Sequence, residues 1–231
     1  MRNEYINTKI INLWNSFLKN DKEVYAPLFY DKFNEGSLLF VGLNPSFSVR
    51  GFKTILRDTK YQNIDPVSFL KWSNISSDIR FIDDCIDMEN ISREKYTSYF
   101  KPSKDIAKIV GLSWEHIDLF LYRDTKQKKF TSRIIEKGKL NAFGTAQLNF
   151  FKEILNTIKP RCIVIANAFG SEVIQGYFGK NISWDEGNGF HWFGIDGKKV
   201  PIFFSSMLTG QRALDRWSRE RLVWHIKRAM G

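Results

Sequence analysis

The 231 residues amount to 27.1 kDa, and 43% of them are hydrophobic and 26% charged. This composition is typical of a soluble chain that folds as one large α/β domain or two small ones. No apolar run approaches the roughly 20 residues that cross a bilayer, and residues 1–4 lack the apolar segment of a signal peptide. Cys85 and Cys162 fit neither a disulfide framework nor a metal site. We therefore expect a cytoplasmic protein with no membrane association, no metal and no cofactor.

The net charge of +10 and the pI near 9.5 favour a polyanionic partner. The charge is unevenly spread: residues 77–94 sum to about −4, whereas 118–139 and 211–228 each sum to about +4 by formal charge. A basic surface that is exposed to water and binds no partner explains the excess of positive charge equally well. Basicity therefore permits nucleic-acid binding but does not establish it.

Apolar periodicity predicts the elements of the first half of the chain. Residues 5–19 repeat apolar side chains at helical spacing, and residues 38–41 form a short buried strand between glycines. The stretch 52–110 is predicted to be helix and loop, with Pro66 and Pro102 as markers of helix starts.

The second half alternates strands with helices in the same way. In chain order it predicts a strand through Ile117, Leu119 and Leu121, a basic loop at 123–130, a helix at 145–158, a strand that runs into a glycine-containing turn within 161–170, a hairpin at 182–199, a strand at 200–207 and a helix from Ser218.

Near-continuous apolar strands separated by long helical connections indicate a parallel sheet covered on both faces. The predicted fold is α/β, a three-layer α/β/α sandwich with a central, mostly parallel four-stranded sheet. We find no repeat and no linker, so residues 1–231 are predicted to form a single domain.

Two loops follow strands of this predicted sheet, at the edge where ligands bind such folds. They are "GLNPSFS" after the first strand and "SSMLTGQR" after the last. Neither has the glycine spacing of a dinucleotide-binding turn or of a phosphate loop. A dinucleotide or nucleoside triphosphate site is therefore poorly supported.

The sequence "FVGLNPS" resembles the first active-site motif of the uracil-DNA glycosylase superfamily, in the mismatch-specific and single-strand-selective branches that use asparagine. The segment "FFSSMLTGQRALDRWSRERLVWHI" lies where that superfamily has its second motif. The order of elements also agrees over residues 36–228, although only about a dozen positions are motif-like. The resemblance implies a DNA-binding protein that flips a base out of the helix and hydrolyses its N-glycosidic bond.

The resemblance also implies a role for each matching residue. Asn44 would hold and polarise the attacking water, and an aromatic side chain, Phe52 or Phe47, would stack on the base. The other matching positions would bind substrate (Gly42, Leu43, Pro45 and Ser46) or DNA (Ser206, Leu208, Thr209, Gly210 and Arg212).

The second motif departs from the family pattern. Ser205, Ser206 and Met207 stand where the best-known members have His-Pro or Asn-Pro, so the donor to the leaving base is missing there. His191 is the one candidate replacement. The asparagine that reads the base edge has no match within 121–124, and Asp118 and Asp124 are candidate general bases without a visible partner.

Each of these residues also has a purely structural interpretation. Asn44 can shape a turn, the phenylalanines can fill the core, and Ser206 and Thr209 can cap a helix. Trp184, Trp192 and Trp217 are predicted to be packing residues. The alternative function is therefore a catalytically inactive module that binds nucleic acid or a nucleotide.

Overall fold

The computed structural model describes residues 3–21, 23–74 and 79–231, and about half of these residues are helical. Residues 1 and 2 of the amino-terminal segment, and Ser77 and Asp78 of the acidic stretch, lie outside that description. The helices are α1 (Glu4–Leu18), α2 (Val49–Leu56), α3 (Pro66–Phe69), α4 (Ile79–Lys95), α5 (Thr97–Val110), α6 (Gln127–Ile134), α7 (Ala142–Ile158), α8 (Ala168–Phe178) and α9 (Arg216–Met230).

The strands form one six-stranded sheet and one two-stranded ribbon. In chain order they are β1 (Leu38–Gly42), β2 (Trp114–Asp118), β3 (Ile135–Glu136), β4 (Lys139–Leu140), β5 (Cys162–Ala166), β6 (Ile182–Asp185), β7 (Phe190–Ile195) and β8 (Lys198–Ser205). The large sheet has the order β2-β1-β5-β8-β7-β6. Its first four strands are parallel, and β7 and β6 are antiparallel to their neighbours. The predicted α/β class with a mostly parallel sheet is therefore confirmed.

The predicted number of four strands is too low for this sheet. The four predicted strands correspond to the parallel part, and the predicted hairpin adds β6 and β7 to one edge. The turn between β7 and β8 has positive φ at both Asp196 (44°) and Gly197 (78°). Two such residues make the tight turn that matches the twist of paired strands. The hairpin therefore continues the sheet through β8.

The second predicted strand is displaced along the sequence. The sequence predicts it through Ile117, Leu119 and Leu121, but β2 covers Trp114–Asp118. Its neighbour in the sheet, β1, ends at Gly42, which is paired with Asp118. Beyond that pair the Leu119 amide still donates to the Gly42 carbonyl at 2.9 Å, but β1 extends no further. Residues 119–121 are therefore buried but lie outside the strand.

Two predictions for helices are wrong and one is confirmed. Pro66 is at the start of α3 as predicted, but Pro102 lies inside α5. A proline there removes one i→i−4 hydrogen bond, a loss that the rest of the helix tolerates. The predicted basic loop at 123–130 includes the start of α6, where Phe130 is fully buried.

The chain divides into two compact units, each made of three segments. The first contains residues 1–32, 44–97 and 120–150, and the second contains 33–43, 98–119 and 151–231. The whole six-stranded sheet belongs to the second unit. The core of that unit is built from β1, β5, β7 and β8 with α5 and α9 (Leu38, Phe40, Ile106, Ala107, Cys162, Val164, Phe190, Phe203, Leu222 and Ile226).

Whether the two units act as the predicted single domain stays a prediction. Among the described residues, no helix is both long and apolar enough to span a bilayer.

Candidate functional site

In the first unit, the side chain of Asn44 joins two loops. Its Nδ2 donates to the carbonyl oxygens of Asp124 at 2.9 Å and Tyr122 at 3.2 Å, with a longer contact of 3.4 Å to the Pro45 carbonyl. The Asp124 amide donates back to the Pro45 carbonyl at 3.2 Å. The loop after β1 is therefore fastened to the segment that precedes α6.

These contacts fix the orientation of the Asn44 amide. A flipped side chain would turn its oxygen towards three carbonyl oxygens, which cannot donate a hydrogen bond. Within the described ranges, no group donates to Asn44 Oδ1, and the side chain is half-buried. Oδ1 is therefore set to accept a hydrogen bond from water. An amide can orient a water molecule in this way, but it is too weak a base to deprotonate it.

The aromatic candidates lie together in the same unit. Phe47 and Phe52 are both buried. The ring of Phe47 packs 4.7 Å from Tyr25 and 5.7 Å from Phe52 between centroids. Thr125 Oγ1 donates to the Phe47 carbonyl, which ties the two loops together a second time. The two rings thus contribute to packing here, and their stacking on a base stays a prediction.

Basic side chains follow both loops of the first unit. Lys126, Lys128 and Lys129 are exposed around the start of α6, and Arg50 and Lys53 are exposed on α2. Lys129 lies 3.6 Å from the Asp124 carboxylate, a surface ion pair that contributes at most about 1 kcal/mol. Lys53 lies 3.9 Å from the Asp65 carboxylate. Arg50, Lys126 and Lys128 are exposed to water, where phosphate groups could replace their solvation.

In the second unit, Gly42 ends β1 against two titratable side chains of β2. A Cβ atom at Gly42 would lie 2.2 Å from Asp118 Oδ1 and 3.3 Å from His116 Nε2. Asp118 is only 5% exposed, and Phe100 packs edge-on to the His116 ring at 5.3 Å. Glycine is therefore required at this position by a neighbouring carboxylate. The expected close approach of a base to Gly42 and to the buried Leu43 stays a prediction.

The sequence singles out Asp118 as a candidate general base, but it does not reveal that His116 faces the same glycine. The two residues are separated by one position, so a strand directs both to the same face. The spacing of His116 and Asp118 is visible in the sequence. It indicates a shared face only if the strand begins at Trp114, three residues before the predicted start at Ile117.

The second motif follows β8 as a compact turn. The Leu214 amide donates to the Met207 carbonyl at 2.8 Å, and the Ala213 amide donates to the Gly210 carbonyl at 3.2 Å. Leu208 is partly buried and packs against the core of the second unit. Ser206 and Thr209 are half-buried, and Arg212 is exposed.

The alternative that Ser206 or Thr209 caps a helix is wrong. Asp215 is the N-cap of α9, and its Oδ1 accepts from the amides of Trp217 at 2.8 Å and Ser218 at 3.0 Å. The Ser218 hydroxyl donates to Asp215 Oδ2 at 2.6 Å and is the main cause that holds the pKa of Asp215 below its ordinary value, and the two amide bonds add to this effect.

The two motif segments of the second unit lie at one edge of the sheet. Val41, Ile165 and Phe204 are in register across β1, β5 and β8. The next residues along β1 and β8 are Gly42 and Ser205, two strand spacings apart, or about 10 Å. As predicted, both loops therefore follow the carboxyl ends of parallel strands.

His191 and the tryptophans lie in the second unit. His191 packs 4.8 Å from Trp184 and 5.3 Å from Phe204 between ring centroids, and partial burial lowers the pKa of its imidazole. Trp217 is 65% exposed, so its predicted packing role is wrong, whereas Trp184 is 57% exposed but packs against the His191 ring. Trp192 is partly buried, and its Nε1 donates to Asp185 at 2.8 Å.

No protein-family model matches this sequence, and no curated protein matches it significantly. Across the described ranges, no three His, Cys, Asp or Glu side chains are grouped as a metal ion would require.

Proposed function

We propose that this chain binds DNA and hydrolyses the N-glycosidic bond of a flipped uracil-like or damaged base, as a member of the uracil-DNA glycosylase superfamily with its α/β/α layering. The observation that carries this proposal is the Asn44 amide, whose Nδ2 is held by backbone carbonyls while Oδ1 is left to accept from a water. The setting would be DNA repair in the cytoplasm.

The chemistry is consistent with this geometry. Cleavage of an N-glycosidic bond passes through an oxocarbenium-like sugar, as in glycoside hydrolysis. Asn44 would position the water that traps this cation, while the negative charge of DNA phosphates would stabilise it. Because the amide is a feeble base, most of the rate enhancement must come from binding, strain and stabilisation of the leaving base.

The charge distribution supports DNA as the partner. The chain carries a net charge of +10, and exposed lysines follow the segment to which Asn44 is hydrogen-bonded. Phosphate contacts of this kind provide sequence-independent affinity. Arg212 and the half-buried Ser206 would add contacts in the second unit.

A second candidate is a module that binds nucleic acid or a nucleotide without cleaving it. Two observations favour this alternative. The Asn44 side chain has a sufficient structural role in joining its two loops, and Ser205, Ser206 and Met207 provide no imidazole for the leaving base.

An excision assay with Asn44→Ala distinguishes the two functions. The substrates are duplex and single-stranded oligonucleotides that carry uracil or hypoxanthine, and duplexes that carry a G·T mismatch. We expect alkali-labile abasic sites from the wild type, a loss of at least about 100-fold in Asn44→Ala and nearly unchanged DNA affinity.

The matched control is Asn141→Ala. Asn141 also fastens a loop of the first unit, because its Nδ2 donates to the Arg133 carbonyl at 2.9 Å and its Oδ1 accepts from the Gly144 amide at 2.9 Å. Folded Asn141→Ala should excise the base at the wild-type rate. Equal loss in both variants, or full activity in Asn44→Ala, would contradict a chemical role for Asn44. No product from the wild type, together with DNA binding, would support the second candidate.

A further inference from the structure

One face of α9 displays tryptophan and arginine side chains to solvent. Trp217, Arg221, Trp224 and Arg228 are spaced by four, three and four residues, which places them along one side of a helix. Trp217 is 65% exposed and Trp224 is 55% exposed, and both arginines are exposed. We call these four residues the α9 stripe.

The opposite face of α9 accounts for the stability of the helix. Leu222 and Ile226 are buried there in the core of the second unit. Folding therefore does not require the indoles of the α9 stripe. Large exposed aromatic side chains that do not contribute to a core point to a binding surface.

The tryptophans of the α9 stripe are held by arginines. The Arg216 guanidinium lies 5.1 Å from the Trp217 ring centroid, and that of Arg228 lies 5.5 Å from the Trp224 centroid. Arg228 also donates to the Gly187 carbonyl at 3.2 Å, which anchors it to the turn between β6 and β7. A guanidinium covers at most one face of an indole. The other face can stack on a planar, electron-poor group.

The charge around the α9 stripe selects an anionic partner. Helix α9 carries five cations and one acid, Glu220, which is already bound to Arg216 at 3.0 Å. Alternating cations and open aromatic rings are the two components with which proteins hold unpaired nucleic-acid strands. Bases in a duplex are stacked on each other and cannot stack on an indole as well.

We infer that the α9 stripe binds single-stranded DNA, with Trp217 and Trp224 stacking on unpaired bases about 10 Å apart and Arg221 contacting the phosphate between them. This inference rests on the DNA binding proposed above but not on base excision. It gives the protein a preference for unpaired strands that phosphate contacts alone would not produce.

The face of α9 that carries the α9 stripe is unsuited to binding a lipid surface. An interfacial helix buries a wide apolar face in the membrane, whereas the apolar face of α9 is already used by the core. Vesicles that contain phosphatidylserine therefore serve as a second probe. Binding to these vesicles that depends on Trp217, without binding to the oligonucleotide, would overturn the inference.

The test is the affinity of an oligothymidylate of about 12 nucleotides, measured by fluorescence anisotropy. Trp217→Ala and Trp224→Ala should each weaken binding by about 10-fold and leave duplex affinity unchanged. Trp184→Ala removes an indole of similar exposure from β6 and should bind as the wild type does. Unchanged affinity in folded Trp217→Ala and Trp224→Ala, or an equal loss in Trp184→Ala, would overturn the inference.

A DNA strand of the same length that is made of abasic residues separates the contribution of base stacking from that of phosphate charge. The wild type should bind this strand about 10-fold or more weakly than oligothymidylate, and the tryptophan variants should not discriminate between the two. Equal wild-type affinity for both strands would overturn the inference while leaving DNA binding intact. If the wild type binds neither duplex nor single strands at low salt, the proposed function fails as well.

Discussion

At the residue scale, Asn44 shows how one side chain can serve structure and chemistry together. Its two amide hydrogens are directed to backbone carbonyls, so the carbonyl end of the amide is oriented without any contact to a substrate. Aspartate could not replace it without placing a carboxylate oxygen against those carbonyls. The structural role therefore restricts this position to an amide, whether or not the protein is catalytic.

The candidate site could be predicted from the sequence only in part. The break from an apolar strand into Gly42, Asn44 and Pro45 identified the loop. The partners of Asn44 could not be foreseen, because the carbonyls of Tyr122 and Asp124 lie about 80 residues away in the sequence. The exposure of Trp217 also escaped prediction, because tryptophan occurs both in cores and in binding surfaces.

His191 should make the stability of the protein depend on pH. Partial burial against Trp184 and Phe204 lowers its pKa in the folded state, so the unfolded chain binds the proton more readily. Stability is therefore lost as the pH falls through the unfolded value of about 6.5 towards the lower folded value. Thermal unfolding between about pH 5 and pH 8 measures this loss.

His191→Gln should flatten that part of the pH profile, because it removes the titrating group. His225→Gln serves as the control, since it removes another half-buried histidine of the same unit. A wild-type profile that His191→Gln leaves unchanged would show that other groups control the pH dependence.

At the scale of elements, the sequence predicted the interior parallel strands well and the edge strand β2 poorly. Strands β1 and β5 are continuous apolar runs because both are interior strands. Such runs are recognisable without their neighbours. The extent of β2 depends instead on where β1 ends, and the membership of β6 and β7 depends on tight turns. Both are tertiary properties that a local pattern does not contain.

Glycines at two positions should respond in opposite directions to a methyl group. Gly42→Ala should lower the free energy of unfolding by about 1–3 kcal/mol, because its Cβ would overlap the Asp118 carboxylate. Gly176→Ala should raise it by about 0.4–1 kcal/mol, because Gly176 lies within α8 and its Cβ would meet nothing within 4 Å. Urea denaturation measures both changes.

A double variant tests whether the overlap between the new Cβ and the Asp118 carboxylate causes the loss of stability in Gly42→Ala. Adding Asp118→Ala should recover part of the stability lost in Gly42→Ala, because the overlapping oxygen is removed. Strictly additive losses would indicate that Asp118 is not the cause, since residues in contact are expected to couple.

At the scale of the whole molecule, the net charge of +10 should make DNA binding strongly dependent on salt. If about four phosphates are contacted, raising NaCl from about 50 to about 200 mM should weaken duplex binding by about 100-fold. The slope of the logarithm of affinity against that of salt concentration provides the measurement.

Two triple variants with the same charge change locate the contacts. Replacing Lys126, Lys128 and Lys129 by glutamate should weaken binding and flatten the slope, because these lysines lie beside the loop that Asn44 joins. Replacing the exposed Lys180, Lys198 and Lys199 by glutamate is the control. Equal effects of the two sets would assign the affinity to overall charge and not to a particular surface.

The position of β8 in the sheet has a consequence for biosynthesis. This strand is made from residues 198–205, yet it lies between β5 and β7 in the interior of the sheet. While the nascent chain is still emerging from the ribosome, β5 has an open edge whose apolar side chains are buried only in the finished protein. Translation must therefore proceed well beyond β5 before that edge is closed. A ribosome that stalls before Lys198 would leave an intermediate with an unpaired edge at β5. Such an intermediate is prone to aggregation and requires chaperone protection.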